Sequence, residues 1–305
     1  MSIEAPLREL VQEEALLHSV AATLSWDQET GLPPAAVPFR ARQLAYLSGK
    51  AHELSTSERW KALLEGEEAK PEGDPVRAAN LRELRHQFDR ASKLPRELVE
   101  RSVETTSVAK ATWAKARAAA DFSRFAPELH KLLEIAREKA EYWGYPEEPY
   151  DALLEGYERG TRTSEVVTTF AALRQPLSAL AQEAVERSAE VPADRLDAHY
   201  PIESQMTLNR EVAESLGFDF ESGRIDTTAH PFCIHPGPQD TRLTTRYDER
   251  NFLSSLLGVM HEAGHGLYEQ GLPESEWGFP AGKAVSLGIH ESQSRLWENH
   301  VGRSR

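Results

Sequence analysis

Two histidines four residues apart, His261 and His265, enclose a glutamate in the segment HEAGH. On a helix, positions i and i+4 share one face a turn apart, so both imidazoles can meet a single ion. Glu262 is rotated by about 100° from His261. It falls outside the ligand set but within reach of a water held there. This is the mechanical content of the H-E-x-x-H zinc pattern. A hydrolytic zinc keeps three protein ligands and one open position, so a third ligand must come from elsewhere. The tetrad His290-Glu291-Ser292-Gln293 offers two candidates. Glu291 is favoured because its carboxylate partly neutralises Zn²⁺; His290 is the rival. Such an ion brings the pKa of water towards ~7. Glu262 is then the general base, taking the proton as water attacks a scissile carbonyl and handing it to the leaving amine. The oxyanion also needs a donor, and His230, His235, Arg242, Tyr247 and His290 are all candidates.

These residues need a helix and a return path to hold them. Apolar residues at Phe252, Leu253, Leu256, Leu257, Val259, Met260, Leu267 and Tyr268 keep helical spacing. Asp248 is the expected N-cap, and Gly271 and Pro273 the stop. A second helical run is expected over 286–299. Upstream, residues 1–190 read as successive amphipathic helices: one from Leu7 to Trp26, ended by WDQETGLPP, then runs near 38–54, 75–91, 95–120, 122–142 and 163–190. Thr163 or Ser164 is the expected cap of the last. Between 217 and 248 Gly, Pro, Thr and Asp are frequent. GRIDTTAHPF and TRLTTRY read as two strands joined by the turn-rich HPGPQD. The fold class expected is mainly α, as one domain over 1–305, with a helical portion at 1–190 and a small sheet plus the zinc-site helices at 191–305.

Composition narrows the partners. Of 305 residues, 40% are hydrophobic and 28% charged, an ordinary globular balance. The formal net charge of −14 argues against nucleic acid or an anionic membrane as the main partner. A single cysteine, Cys233, allows no intramolecular disulfide. The amino terminus lacks the apolar core of a secretory signal, and no stretch approaches the ~18 apolar residues of a membrane span. The expected location is the cytoplasm.

HPF at 230–232, DTRLT at 240–244, HEAGH at 261–265 and HESQ at 290–293 stand in an order that resembles peptidase family M32, the Taq-type thermostable zinc carboxypeptidases. The resemblance runs from WDQET at 26–30 to the end. It implies a mostly helical fold with a long central groove and a small antiparallel sheet beside the metal. It implies a cytoplasmic homodimer that removes residues from peptide carboxyl ends with Zn²⁺ or sometimes Co²⁺. His261, His265 and Glu291 then become the metal ligands and Glu262 the base. His230, Asp240, Arg242, Thr244, His290 and Gln293 become candidates to line the substrate groove. Family members run to about 500 residues. Two later motifs, I-R-x-x-A-D and G-x-x-Q-D-x-H-W, are absent here, and with them an arginine to pair the substrate's terminal carboxylate. The chain is therefore expected to be a shortened form. A zinc endopeptidase or oligopeptidase, and an inactive metal-binding helical fragment, are the alternative readings.

Overall fold

The computed structural model describes residues 3–71, 74–188 and 196–304. Among these, eleven α-helices and three short strands form the chain's regular structure. No helix among them is long and apolar enough to cross a membrane.

The first layer is helical. α1 (Ala5–Thr30) turns Leu7, Leu10, Val11 and Ala15 inward, the i, i+3, i+4 stripe that sequence spacing predicts. Trp60 and Leu64 of α3 (Glu58–Glu68), Leu81, Leu84 and Phe88 of α4 (Pro75–Ala91), and the distant Phe279 close over that stripe. Ser57 caps α3 by accepting from Trp60 N at 3.2 Å, and Asp74 caps α4. α2 (Val37–Ser55) packs on α1 and on α5 (Arg96–Ala118), and α5 packs on α6 (Ala126–Trp143). Pro95 is the N-cap of α5. α7 (Pro149–Leu154) leads to α8 (Thr163–Ser188). Thr163 donates through both N and Oγ1 to Asp151. The expected end of this helix at Glu190, and the expected division of the chain near residue 191, lie outside the described residues.

The break after Trp26 comes later than expected. α1 continues through Trp26-Asp27-Gln28-Glu29-Thr30 and ends at Gly31. Tertiary partners hold this last turn. Asp27 accepts from Arg40 of α2 at 2.7 Å, and Gln28 donates to the carbonyl of Ser107 on α5. α3, α7 and α9 (Ile202–Leu216) were not expected; α3 and α7 are short, whereas α9 is a 15-residue amphipathic helix that buries Gln205, Asn209 and Ala213, two of them polar, on its inward face.

The second layer holds the sheet. β1 (Gly223–Thr227), β2 (Cys233–Gly237) and β3 (Asp240–Thr245) lie in the order β1-β3-β2. β2 and β3 form an antiparallel hairpin, with Gln239 in the left-handed region at φ 57° in its turn. β1 runs parallel to β3, so the sheet is mixed, not antiparallel throughout. The reason lies in the segment read as a loop: His235, Pro236 and Gly237 are part of a strand and take the antiparallel edge of β3. Leu243 of β3 joins Ala213 of α9, Phe218, and Val259 and Ala263 of the next helix in a second buried core.

Candidate metal centre

α10 (Phe252–Gln270) follows the sheet and packs against it. Its N-cap is Asn251, whose side chain accepts from Ser254 N at 3.3 Å, not Asp248. Asp248 instead accepts from Arg250 N in the preceding turn, at 2.8 Å. Gly271 ends the helix. One face buries Ser255, Val259, Met260, Ala263 and Gly266. The hydrophobic demand of that face fixes the rotation of α10, and so the direction in which His261 and His265 look.

They look at α11 (Leu287–Arg295), which opens at Ser286, whose Oγ accepts from Ile289 N. The two helices approach at Gly264. A Cβ there would lie 2.7 Å from the carbonyl oxygen of Gln293 and from Cα of Ser294. Only a glycine admits that contact without moving a backbone. It brings Glu291 to both histidines. Glu291 Oε2 lies 3.2 Å from His265 Nε2 and 3.6 Å from His261 Nε2. The three candidate ligand atoms all fall within 4.8 Å of one another. Two imidazole nitrogens and one carboxylate oxygen at that spacing are a donor set that fits a zinc ion with an open fourth position.

The protonation states suit ligation. Burial, with His290 and His261 close by, pushes the His265 imidazole down to about 4. It is neutral at pH 7, as a ligand must be. Partial burial acts to raise the Glu291 carboxyl. The hydrogen bond from Ser294 and the charges of His261 and Arg295 outweigh it and hold Glu291 below the usual carboxylate range. Glu262 is different. It is only 5% exposed and accepts no hydrogen bond from a described side chain. Burial, with the carboxylates of Glu291 and Glu298 nearby, pushes it up to about 8. A cation in the three-ligand set would offset that repulsion and favour its ionised form.

An open cavity of about 780 Å³ lies on this face. His261, Glu262, His230, Arg117, Arg246 and Arg295 are among its lining residues. His230 is exposed and meets Trp113 edge-on at 5.9 Å. His290 stacks on His265 with ring centroids 4.4 Å apart, and its Nε2 lies 2.9 Å from Glu269 Oε1, off the hydrogen-bond line. The DTRLT residues go elsewhere. Arg242 donates through Nε and Nη2 to the two carboxylate oxygens of Asp240, at 2.7 Å each, and lies over the Trp26 ring at 4.4 Å. Thr244 is fully buried and bonds the backbone of Phe232 through both donor and acceptor. Neither Asp240, Arg242 nor Thr244 lines the cavity. Gln293 contributes its backbone to the Gly264 contact. Of the other candidate donors, His235 pairs with Thr241 at 3.0 Å, and Tyr247 is half-buried away from the cavity. Glu298 and Arg295 were missed, although Glu298 follows Glu291 by seven residues, two helical turns along the same side.

A sequence profile of the Carboxypeptidase Taq (M32) metallopeptidase family matches residues 6–305. The chain belongs to the M32 family. Thermostable carboxypeptidase 1 of Thermus thermophilus is 42% identical over 310 residues, which cover 98% of this chain and 61% of that protein. The crystal structure of the M32 carboxypeptidase from Deinococcus radiodurans superposes with a TM-score of 0.86 at 37% identity, covering 98% of this chain and 60% of that one. A Pyrococcus furiosus carboxypeptidase structure gives 0.85 at 34% identity, covering 99% and 62%. The chain thus spans about three-fifths of the length of these M32 relatives.

Proposed function

We propose that this chain carries the metal centre of a zinc carboxypeptidase, which hydrolyses the last peptide bond of peptides with a free carboxyl end. The observation that carries the reading is the meeting of Glu291 Oε2 with both histidine Nε2 atoms. His261, His265 and Glu291 hold the ion, with Zn²⁺ first and Co²⁺ as a substitute the same donors accept. A bound Zn²⁺ supplies Lewis acidity that acidifies water and polarises the scissile carbonyl. Glu262, on the cavity wall beside His261, accepts a proton from the attacking water and returns it to the departing amine. Its buried position keeps that proton from bulk solvent. His230, which lines the cavity with His261, and His290, which stacks on His265, are side chains able to donate to the developing oxyanion. Arg117 and Arg246 on the same cavity wall give positive charge to face a carboxylate.

The test is a short unblocked peptide incubated with the protein, with and without a chelator, and read by mass spectrometry. The reading predicts a ladder of losses from the carboxyl end that stops on chelation. Equal cleavage of a carboxyl-amidated peptide would point to an endopeptidase instead. One bound zinc per chain with no cleavage of either peptide would leave a metal-binding fragment.

A further inference from the structure

The two ligand histidines are held differently on their second nitrogens. His265 Nδ1 is buried with no hydrogen-bond partner among the described residues. His261 Nδ1 lies 2.9 Å from Glu298 Oε2. The side chain of Glu298 is 13% exposed and is itself clamped. Arg303 donates to its Oε1 at 2.7 Å and Arg295 to its Oε2 at 3.1 Å. Arg295 also donates to Glu291 Oε1 at 2.8 Å. One guanidinium therefore fixes the carboxylate beside the metal set and the carboxylate behind it.

The backbone is arranged for this. After α11 the helix widens into a π-helical turn, Leu296–Val301, closed by Gly302 N donating to Trp297 O at 2.9 Å. That turn is pressed against α10: a Cβ on Gly302 would lie 2.9 Å from Met260 Sδ. Widened turns of this kind re-aim side chains at functional sites. Here the turn carries Glu298 to His261, while the regular helix before it carries Glu291 to both histidines.

We propose that Glu298 is a positioning residue of the metal centre, accepting Nδ1–H of His261 so that the Nε2 lone pair is presented to the ion. A carboxylate behind a ligand histidine fixes its tautomer and ring orientation and raises its basicity. The proposal rests on the three-ligand reading above. Arg295 and Arg303 hold Glu298 in place, and no contact of Glu298 with substrate is needed.

Competition with a chromophoric chelator measures Zn²⁺ affinity directly, and the visible spectrum of the Co²⁺ form reports ligand geometry. Loss of the carboxylate should weaken zinc binding about 10- to 100-fold. Glu298→Ala should show that loss and an altered Co²⁺ spectrum, with the metal-free melting temperature little changed. Glu298→Gln keeps an acceptor without the charge and should fall between Ala and wild type. It also serves if the Ala variant fails to fold. His261→Ala is the control, expected to abolish tight binding. Wild-type affinity and spectrum in Glu298→Gln and in a folded Glu298→Ala, with binding lost in His261→Ala, would overturn the role of Glu298 alone. Unchanged binding in His261→Ala would overturn the ligand set itself.

Discussion

Two buried glutamates, Glu67 and Glu262, sit in opposite electrostatic settings. Glu67 lies in the first helical layer and is 3% exposed; Glu262 lies on α10 and is 5% exposed. Burial alone raises the pKa of either. At Glu67, hydrogen bonds from Lys70 at 2.6 Å, Arg77 at 2.9 Å and Glu4 N at 3.2 Å outweigh burial, and the carboxyl is held below its usual range. At Glu262 no group among the described residues opposes burial, and two further carboxylates add to it. The first is a finished structural pair. The second is a buried carboxyl whose charge no described side chain answers. The contrast teaches that burial of a carboxylate is not informative by itself; whether its charge is answered decides between structure and chemistry.

The largest effect expected from breaking this contrast is on hydrolysis. Glu262→Gln should lower kcat/KM about 10²- to 10⁴-fold, the usual contribution of a general base, and leave zinc affinity near wild type. Steady-state kinetics on an unblocked peptide beside a chelator titration checks both. Glu67→Ala should cost about 3–5 kcal/mol of stability, because Arg77, 6% exposed, is left charged and unpaired. Denaturant unfolding reads it, and zinc affinity should not move.

The same pair predicts opposite pH limbs for the metal-free protein. Glu262 has a raised folded pKa, so its contribution is fully present below ~4.5 and is lost as pH rises to about 8. Glu67 has a lowered folded pKa, so its contribution is present above its unfolded value and lost as pH falls through the folded one. Unfolding curves across pH should show the alkaline limb flattened in Glu262→Gln and the acid limb flattened in Glu67→Gln. Unchanged limbs would remove the contrast.

The helix contact at Gly264 comes next. Gly264→Ala forces α10 and α11 apart at backbone level and should cost about 1–3 kcal/mol, with a clear loss of zinc affinity as Glu291 withdraws. Arg242→Ala is expected to have the smallest effect. The cation–π contact with Trp26 is worth about 0.5–1 kcal/mol, and the cavity is untouched, so a small drop in melting temperature with unchanged KM is the expected result. A large rise in KM would return Arg242 to the groove.

The site was legible wherever local geometry alone determines it. Four-residue spacing puts His261 and His265 on one face whatever the fold, and the apolar stripe of α10 sets their outlook. Glu291 was readable as a carboxylate on a second helix. Its meeting with the histidines depends on the glycine contact at 264, which is a tertiary fact. Glu298 shares the side of Glu291 by its seven-residue spacing, but its contact with the second nitrogen of His261 is made through a π turn and across two helices, which spacing alone does not show. The DTRLT segment was recognisable as a motif, but its side chains were not placeable. Thr244 shares a face of β3 with Asp240 and Arg242 by alternation, yet the Phe232 backbone covers it while the Asp240–Arg242 pair packs on Trp26, 216 residues away in sequence. The mixed sheet was hidden for a similar reason, since a strand containing Pro236 and Gly237 reads as a turn.

The account stands most directly on zinc stoichiometry across four single variants, measured by elemental analysis after dialysis against a weak chelator. One zinc per chain should remain in wild type and in Glu262→Gln. It should be lost in His261→Ala, His265→Ala and Glu291→Ala, each still folded by circular dichroism. Zinc retained in Glu291→Ala, or lost in Glu262→Gln, would contradict it.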